Sequence, residues 1–235
     1  MSSNHHEDEI FKEKRKPKNP IKFKIQLNEE QKLAKQKILD NTVTLLAGAA
    51  GSGKTLLACQ IALEKLFMRE VEKIIITRPT VSKEEIGFLP GDLREKMDPW
   101  VQPIYQNMYL LYNKADIEKR ITEGEIEIVP VSFMRGRTFV NSIVIVDEAQ
   151  NVTHEQMEMI VTRIGINSKM IICGDDHQVD LKNKRDSGFK FLYTAAKKIK
   201  DLEAIKLNNN HRNPIVESLI DLYNDFYEKD SKIAK

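Results

Sequence analysis

The sequence predicts an α/β fold in which a mostly parallel central sheet is flanked by helices on both faces. Three observations carry this expectation. Short β-branched runs alternate with longer amphipathic ones along the chain. The short runs, such as KIIITR (73–78) and SIVIVD (142–147), are apolar throughout, as parallel strands covered on both sides are. One of them leads straight into a glycine-rich turn and a further amphipathic stretch, a strand–turn–helix unit.

The elements follow in order. Residues 1–24 read as a disordered basic arm, polar and charged, with Pro17 and Pro20 near its end. Between 12 and 24 there are seven Lys or Arg against one acid, which suits a solvated arm or one that touches a phosphate backbone. A single domain is expected over 25–230, with a flexible tail at 231–235. Its first helix is NEEQKLAKQKIL (28–39), with Asn28 as N-cap and Gln31 at the reciprocal capping position. A strand over 41–47 and a helix over 54–68 come next, then the strand 73–78. The stretch 90–114 is mostly helical, with interruptions expected at Pro99 and Pro103. EIEIVPV (125–131) and SIVIVD are strands. THEQMEMIVTRIG (153–165) is a helix capped by Thr153 and stopped by Gly165. KMIICGD (169–175) is a strand, 188–199 a helix, EAIKLN (203–208) a strand and 213–227 a closing helix. There is no internal repeat.

Composition sets outer bounds. At 235 residues, 41% hydrophobic and 31% charged, the chain can bury a core of one large domain. A net charge of +2 gives no global case for nucleic acid. No apolar run approaches the roughly 20 residues of a membrane helix, and the N-terminus lacks an apolar signal segment. Cys59 and Cys173 lie in apolar runs without metal spacing and read as core residues of a protein in a reducing, cytoplasmic compartment.

Chemistry enters at Gly48, Ala49, Ala50, Gly51, Ser52, Gly53, Lys54 and Thr55, a full GxxxxGK[ST] running into Leu56. The glycines let successive backbone N–H groups turn inward towards phosphate oxygens, and the following helix start adds positive potential. Lys54 is placed to bridge the outer phosphates and Thr55 to hold Mg²⁺. A second piece is Asp147-Glu148 at the end of a buried strand: Asp147 suits the metal's shell, and Glu148 suits polarising an attacking water. A third is Gln178 beyond the strand 169–175, a candidate for contact with the γ-phosphate or the water. A fourth is Arg212 in LNNNHRNP, either a group facing the γ-phosphate or a helix-start arginine paired with a local acid.

The ordered set LNEEQ, GAAGSGKT, ITRPTV, EEIGFLPGDLREKMDPW, MRGRTF, IVDEAQN and CGDDHQ resembles the PhoH-like family over about residues 25–228. These are P-loop ATPases related to the first domain of superfamily 1 helicases. The resemblance implies a RecA-like core, ATP hydrolysis and a cytoplasmic setting, that of the host if the chain is phage-encoded. It also matches Gln31 to a glutamine that recognises adenine. Family members commonly carry an Arg-His pair in the last motif, whereas this chain has His211-Arg212. Arg135 and Arg137 of MRGRTF are therefore alternatives for the transition-state arginine. They, and Arg78, suit a neighbour's site, a nucleic-acid backbone or structural pairing within the domain.

A second RecA-like domain needs roughly 150 residues, more than remains after the closing helix, so a monomeric helicase is not expected. The leading reading is an ATPase with ATP and Mg²⁺ as cofactors, working as a homo-oligomer, a ring such as a hexamer, and acting on RNA or single-stranded DNA. The alternative is a nucleotide-gated assembly or binding module with little hydrolysis.

Overall fold

The computed structural model describes residues 21–79, 93–175, 178–181 and 183–209, and helical positions 215, 216, 218, 219, 222, 223 and 226. The expected arm over 1–20, the tail and Arg212 lie outside the described residues. Residues 21–24, assigned to the arm from sequence, pack on the domain instead. Phe23 sits 6.5 Å from the Phe67 ring, and Lys24 Nζ donates to the carbonyls of Tyr109 and Tyr112 at 3.3 and 3.2 Å.

Among the described residues, six strands form one parallel sheet: β1 (Val43–Gly48), β2 (Lys73–Thr77), β3 (Ile126–Ile128), β4 (Ser142–Val146), β5 (Lys169–Gly174) and β6 (Leu202–Leu207). Their spatial order is β3-β2-β4-β5-β1-β6, with every pairing parallel. Neighbouring side chains along a strand go to opposite faces, and both faces are apolar. Leu46, Ile74, Ile76, Ile143, Ile145 and Ile171 enter one core. Leu45, Ile75, Val144, Val146, Met170 and Ile172 enter the other. This is why the strands read as unbroken apolar runs.

The first core is covered by α1 (Glu29–Asp40), α2 (Lys54–Phe67), α3 (Leu93–Leu111) and α4 (Lys114–Thr122). The second is covered by the shorter α5 (His154–Val161) and α6 (Gly188–Ala195). The capping box expected at Asn28 and Gln31 forms in full, and a second one joins Thr153 to Gln156.

Several elements differ from the sequence reading. α3 runs unbroken through Pro99 and Pro103. Each proline removes one backbone donor, yet Val101, Ile104, Met108 and Leu111 recur at helical spacing and are all buried, so core packing outweighs the local defects. α4, capped by Asn113, lies where no separate helix was expected. α5 ends at Val161 rather than at Gly165. Gly165 instead passes so close to the strand-like bridge at 139 that an added Cβ would lie 2.6 Å from the Phe139 carbonyl oxygen. The strand expected over 125–131 stops at Ile128, ahead of Pro130.

At the edges of the sheet, among the described residues, Arg137 forks onto the Glu127 carboxylate of β3 at 2.8 and 3.0 Å, and Lys37 of α1 pairs with Glu203 of β6 at 2.7 Å.

Candidate functional site

The C-terminal ends of β1, β4 and β5 are neighbours, with β5 in the middle. The glycine-rich turn therefore faces the Asp147-Glu148 turn across the end of β5. Gly51 and Gly53 sit at φ 91° and 83°, a left-handed region that side chains disfavour. At Gly48 the requirement is space: an added Cβ would lie 2.7 Å from the Leu207 carbonyl oxygen of β6. α2 starts behind Gly53 with no side-chain cap, so its first N–H groups are left to an anion. Lys54 Nζ lies back along the turn and donates to the carbonyls of Gly48 at 2.6 Å and Ala49 at 3.0 Å. The Ser52 hydroxyl is buried and has no hydrogen-bond partner among the described residues.

Opposite the turn, Asp147 is 6% exposed and its Oδ1 accepts the Thr55 hydroxyl at 2.7 Å. Burial pushes its carboxyl above the usual carboxylate range, with the Thr55 bond pulling the other way. Glu148 holds a left-handed backbone, φ 51°, uncommon for a residue with a side chain. Its Oε1 accepts from Arg78 at 3.3 Å and its Oε2 from the Gln150 amide at 2.6 Å. Gln150 is 1% exposed, and its Oε1 accepts the Asp175 backbone N–H at 3.0 Å. One position further, Asn151 exchanges two hydrogen bonds with Asp180, at 2.9 and 2.8 Å.

These groups surround a cleft of about 240 Å³ lined by Ala50, Gly51, Gly53, Lys54, Thr55, Leu56, Asp147, Glu148 and Gln178 among those expected. Sequence reasoning missed Asn107, Gln150 and Asp175, which line it too. Gln150 stood inside the quoted DEAQN run. Asn107 carried no signal, because it arrives only through the packing of α3 on α2. Cys173 also lines the cleft, but its thiol is held well above its usual range by burial and the nearby Asp147 carboxylate, as is that of Cys59, so neither is a ready nucleophile.

The remaining described candidates do not line the cleft itself. Gln31 is buried, and its Oε1 takes the Asn28 N–H at 3.2 Å within the capping box. Next to it, the Glu30 carboxylate accepts the backbone N–H groups of Asn208 and Asn209, tying α1 to the end of β6. Arg78 is drawn into the site through Glu148. Arg137 is committed to Glu127 and lies 5.0 Å from the Phe139 ring centre. Arg135 is exposed and makes no ion pair among the described residues.

The profile of the PhoH-like protein family matches residues 24–224. The chain belongs to the PhoH family. This PhoH-family chain is 41% identical over 189 residues to the PhoH-like protein of Synechocystis, covering 79% of the chain and 58% of that relative. It is 42% identical over 186 residues to the PhoH-like protein of Bacillus subtilis, covering 78% and 58%. It thus spans less than two thirds of the length of these relatives. Its architecture is similar to the large terminase from a thermophilic bacteriophage, at a TM-score of 0.50 and 10% identity, over 77% of the chain and 46% of the terminase. That likeness is one of fold alone. PhoH membership and the glycine-rich turn between β1 and α2 of a parallel sheet are consistent with each other as a P-loop nucleotide-binding fold. No helix among the described residues is long and apolar enough to cross a membrane.

Proposed function

We propose that this chain is a Mg²⁺-dependent ATPase that acts with single-stranded nucleic acid as an oligomer. The observation that carries the catalytic part is the 2.7 Å bond between Thr55 and the buried Asp147, which joins the glycine-rich turn to the acid strand. The backbone N–H groups of the turn and of the α2 start bind phosphate oxygens. Lys54 exchanges its present carbonyl partners for the β- and γ-oxygens. Thr55 and Asp147 are the oxygen donors that would hold magnesium, and two protein oxygens suit a cation that keeps waters and phosphates in its remaining positions. When bound, the ion neutralises charge on the triphosphate. Glu148, half in solvent, takes the proton of the attacking water, and Gln178 orients that water from the β5 side. Gln31 spends its Oε1 on the N-cap, which leaves the amide nitrogen as its donor to an adenine ring.

Support for the nucleic-acid part comes from the loop after β3, where Phe133 is 55% exposed and Arg135 stands two residues away. An aromatic face and a guanidinium are the parts of a stacking platform, and the same arginine is exposed enough to reach a neighbouring subunit. Arg212, outside the described residues, is the other transition-state candidate.

The test is phosphate release from ATP with and without Mg²⁺ and single-stranded RNA, beside mass measurement in ATP. Turnover that needs Mg²⁺ and falls at least about 100-fold in Lys54→Ala is expected. Nucleotide binding and assembly without turnover would replace this reading with a nucleotide-gated module.

A further inference from the structure

The Gln150 side chain spans two parts of the cleft. It is buried, it belongs to the turn that carries Glu148, and its carbonyl end reaches the first residue after β5. Its orientation is fixed by chemistry. The Nε2 end faces a carboxylate oxygen, which only accepts, and the Oε1 end faces a backbone N–H, which only donates. Reversing the amide would set donor against donor and acceptor against acceptor. We propose that Gln150 is a positioning residue that fixes the Glu148 carboxylate and couples it to the segment after β5 carrying Asp175 and Gln178.

The coupling has a physical basis. Glu148 sits on a left-handed backbone and is 40% exposed at its side chain, so packing alone does not hold its carboxylate. Arg78 takes one oxygen and Gln150 the other. The Gln150 bond is short and charge-assisted, and it leaves the remaining lone pairs of Oε2 in a defined direction. A displacement of the backbone at Asp175 pulls on Oε1 and, through the rigid amide plane, on Glu148. Contact made by Gln178 with a bound phosphate or water therefore bears on the orientation of the base. Asn151 and Asp180 form a second tie between the same two segments.

The catalytic half of this inference rests on the ATPase reading, so the experiment has two readouts. The first is amide hydrogen exchange at residues 173–178 in the nucleotide-free chain, which requires no turnover. Gln150→Met, similar in shape but without either bond, is expected to accelerate exchange at the Asp175 amide at least about threefold. Glu148→Ala is expected to accelerate it as well, and to have no further effect in the Gln150→Met background. An unchanged Asp175 amide in Glu148→Ala overturns the coupling.

The second readout is turnover. Gln150→Met is expected to lower kcat about 10–100-fold with nucleotide Kd within about twofold. Gln150→Glu distinguishes positioning from a merely structural role. The carboxyl it introduces can still donate to Glu148 when protonated and cannot when ionised, so activity should recover at least about threefold as pH falls from about 8 to 6. A Gln150→Met protein with kcat within about twofold of wild type, or a Gln150→Glu profile parallel to wild type, overturns the positioning role. If exchange responds as expected while the wild-type chain hydrolyses no nucleotide, the link stands and the ATPase reading falls.

Discussion

The two turns that face each other across the end of β5 hold their shapes by opposite means. The turn at 48–53 is made of backbone: left-handed glycines, a close approach to β6, and a lysine folded onto its carbonyls. The turn at 147–151 is made of side chains: Thr55 on Asp147, Arg78 and Gln150 on Glu148, and Asp180 on Asn151. A turn built of backbone fails when atoms are added. One built of side-chain bonds fails when partners are removed, and its failures are graded.

The largest expected effect is on the side-chain turn. Glu148→Gln keeps the size of the side chain but removes the proposed base and can accept from only one of Arg78 and Gln150, so kcat should fall about 10²–10⁴-fold while nucleotide still binds; phosphate release beside calorimetric titration measures both, and turnover near wild type removes Glu148 from its role. Next comes the backbone turn. Gly48→Ala sets a methyl against the Leu207 carbonyl, a backbone atom that moves only with β6. A loss of about 2 kcal/mol is expected, seen in a thermal melt as a drop of about 4–8 °C for a chain of this size. If that variant melts like wild type, the 48–53 turn is looser than its geometry implies.

A smaller effect of opposite sign is expected at Asp147. Burial raises the pKa of this carboxyl in the folded chain. The folded state therefore holds its proton more tightly than the unfolded one, and this contribution to stability is present below about pH 4 and lost as pH rises through the raised value. Asp147→Asn keeps an acceptor for Thr55 without the buried charge. It should raise the melting temperature of the nucleotide-free chain near neutral pH by about 2–4 °C, for about 1 kcal/mol, while abolishing the further stabilisation by Mg²⁺ and ATP. Smallest is Asn151→Ala, which removes a solvent-facing reciprocal pair and should cost no more than about 1 kcal/mol in a denaturant titration.

The contrast also explains what was legible in the sequence. The 48–55 turn was readable because its conformation is written in the spacing of Gly48, Gly51 and Gly53, all local. The strands were readable because a sheet covered on both faces has no polar alternation to hide them. Asp147 and Glu148 were readable as acids at a strand end, but their partners were not. Arg78 lies 70 residues from Glu148, and the Gln150 bond to Asp175 crosses 25. Such contacts exist only once β4 lies between β2 and β5. The same holds for α3. Local rules at Pro99 and Pro103 argue for a break, and the buried stripe through Leu111 overrides them. Arg135 and Arg137, two positions apart in one motif, could not be separated by sequence, yet one is held by Glu127 and the other is exposed.

The pairing of Lys37 with Glu203 on β6, an edge strand among the described residues, bears on what can add to that edge of the sheet. A bare strand margin offers a ladder of amides and carbonyls on which a foreign strand can grow. Charges on β6, Glu203 with its lysine and the exposed Lys206, would have to be stripped of water before any such strand could add. Growth of a foreign strand on this edge is thereby disfavoured.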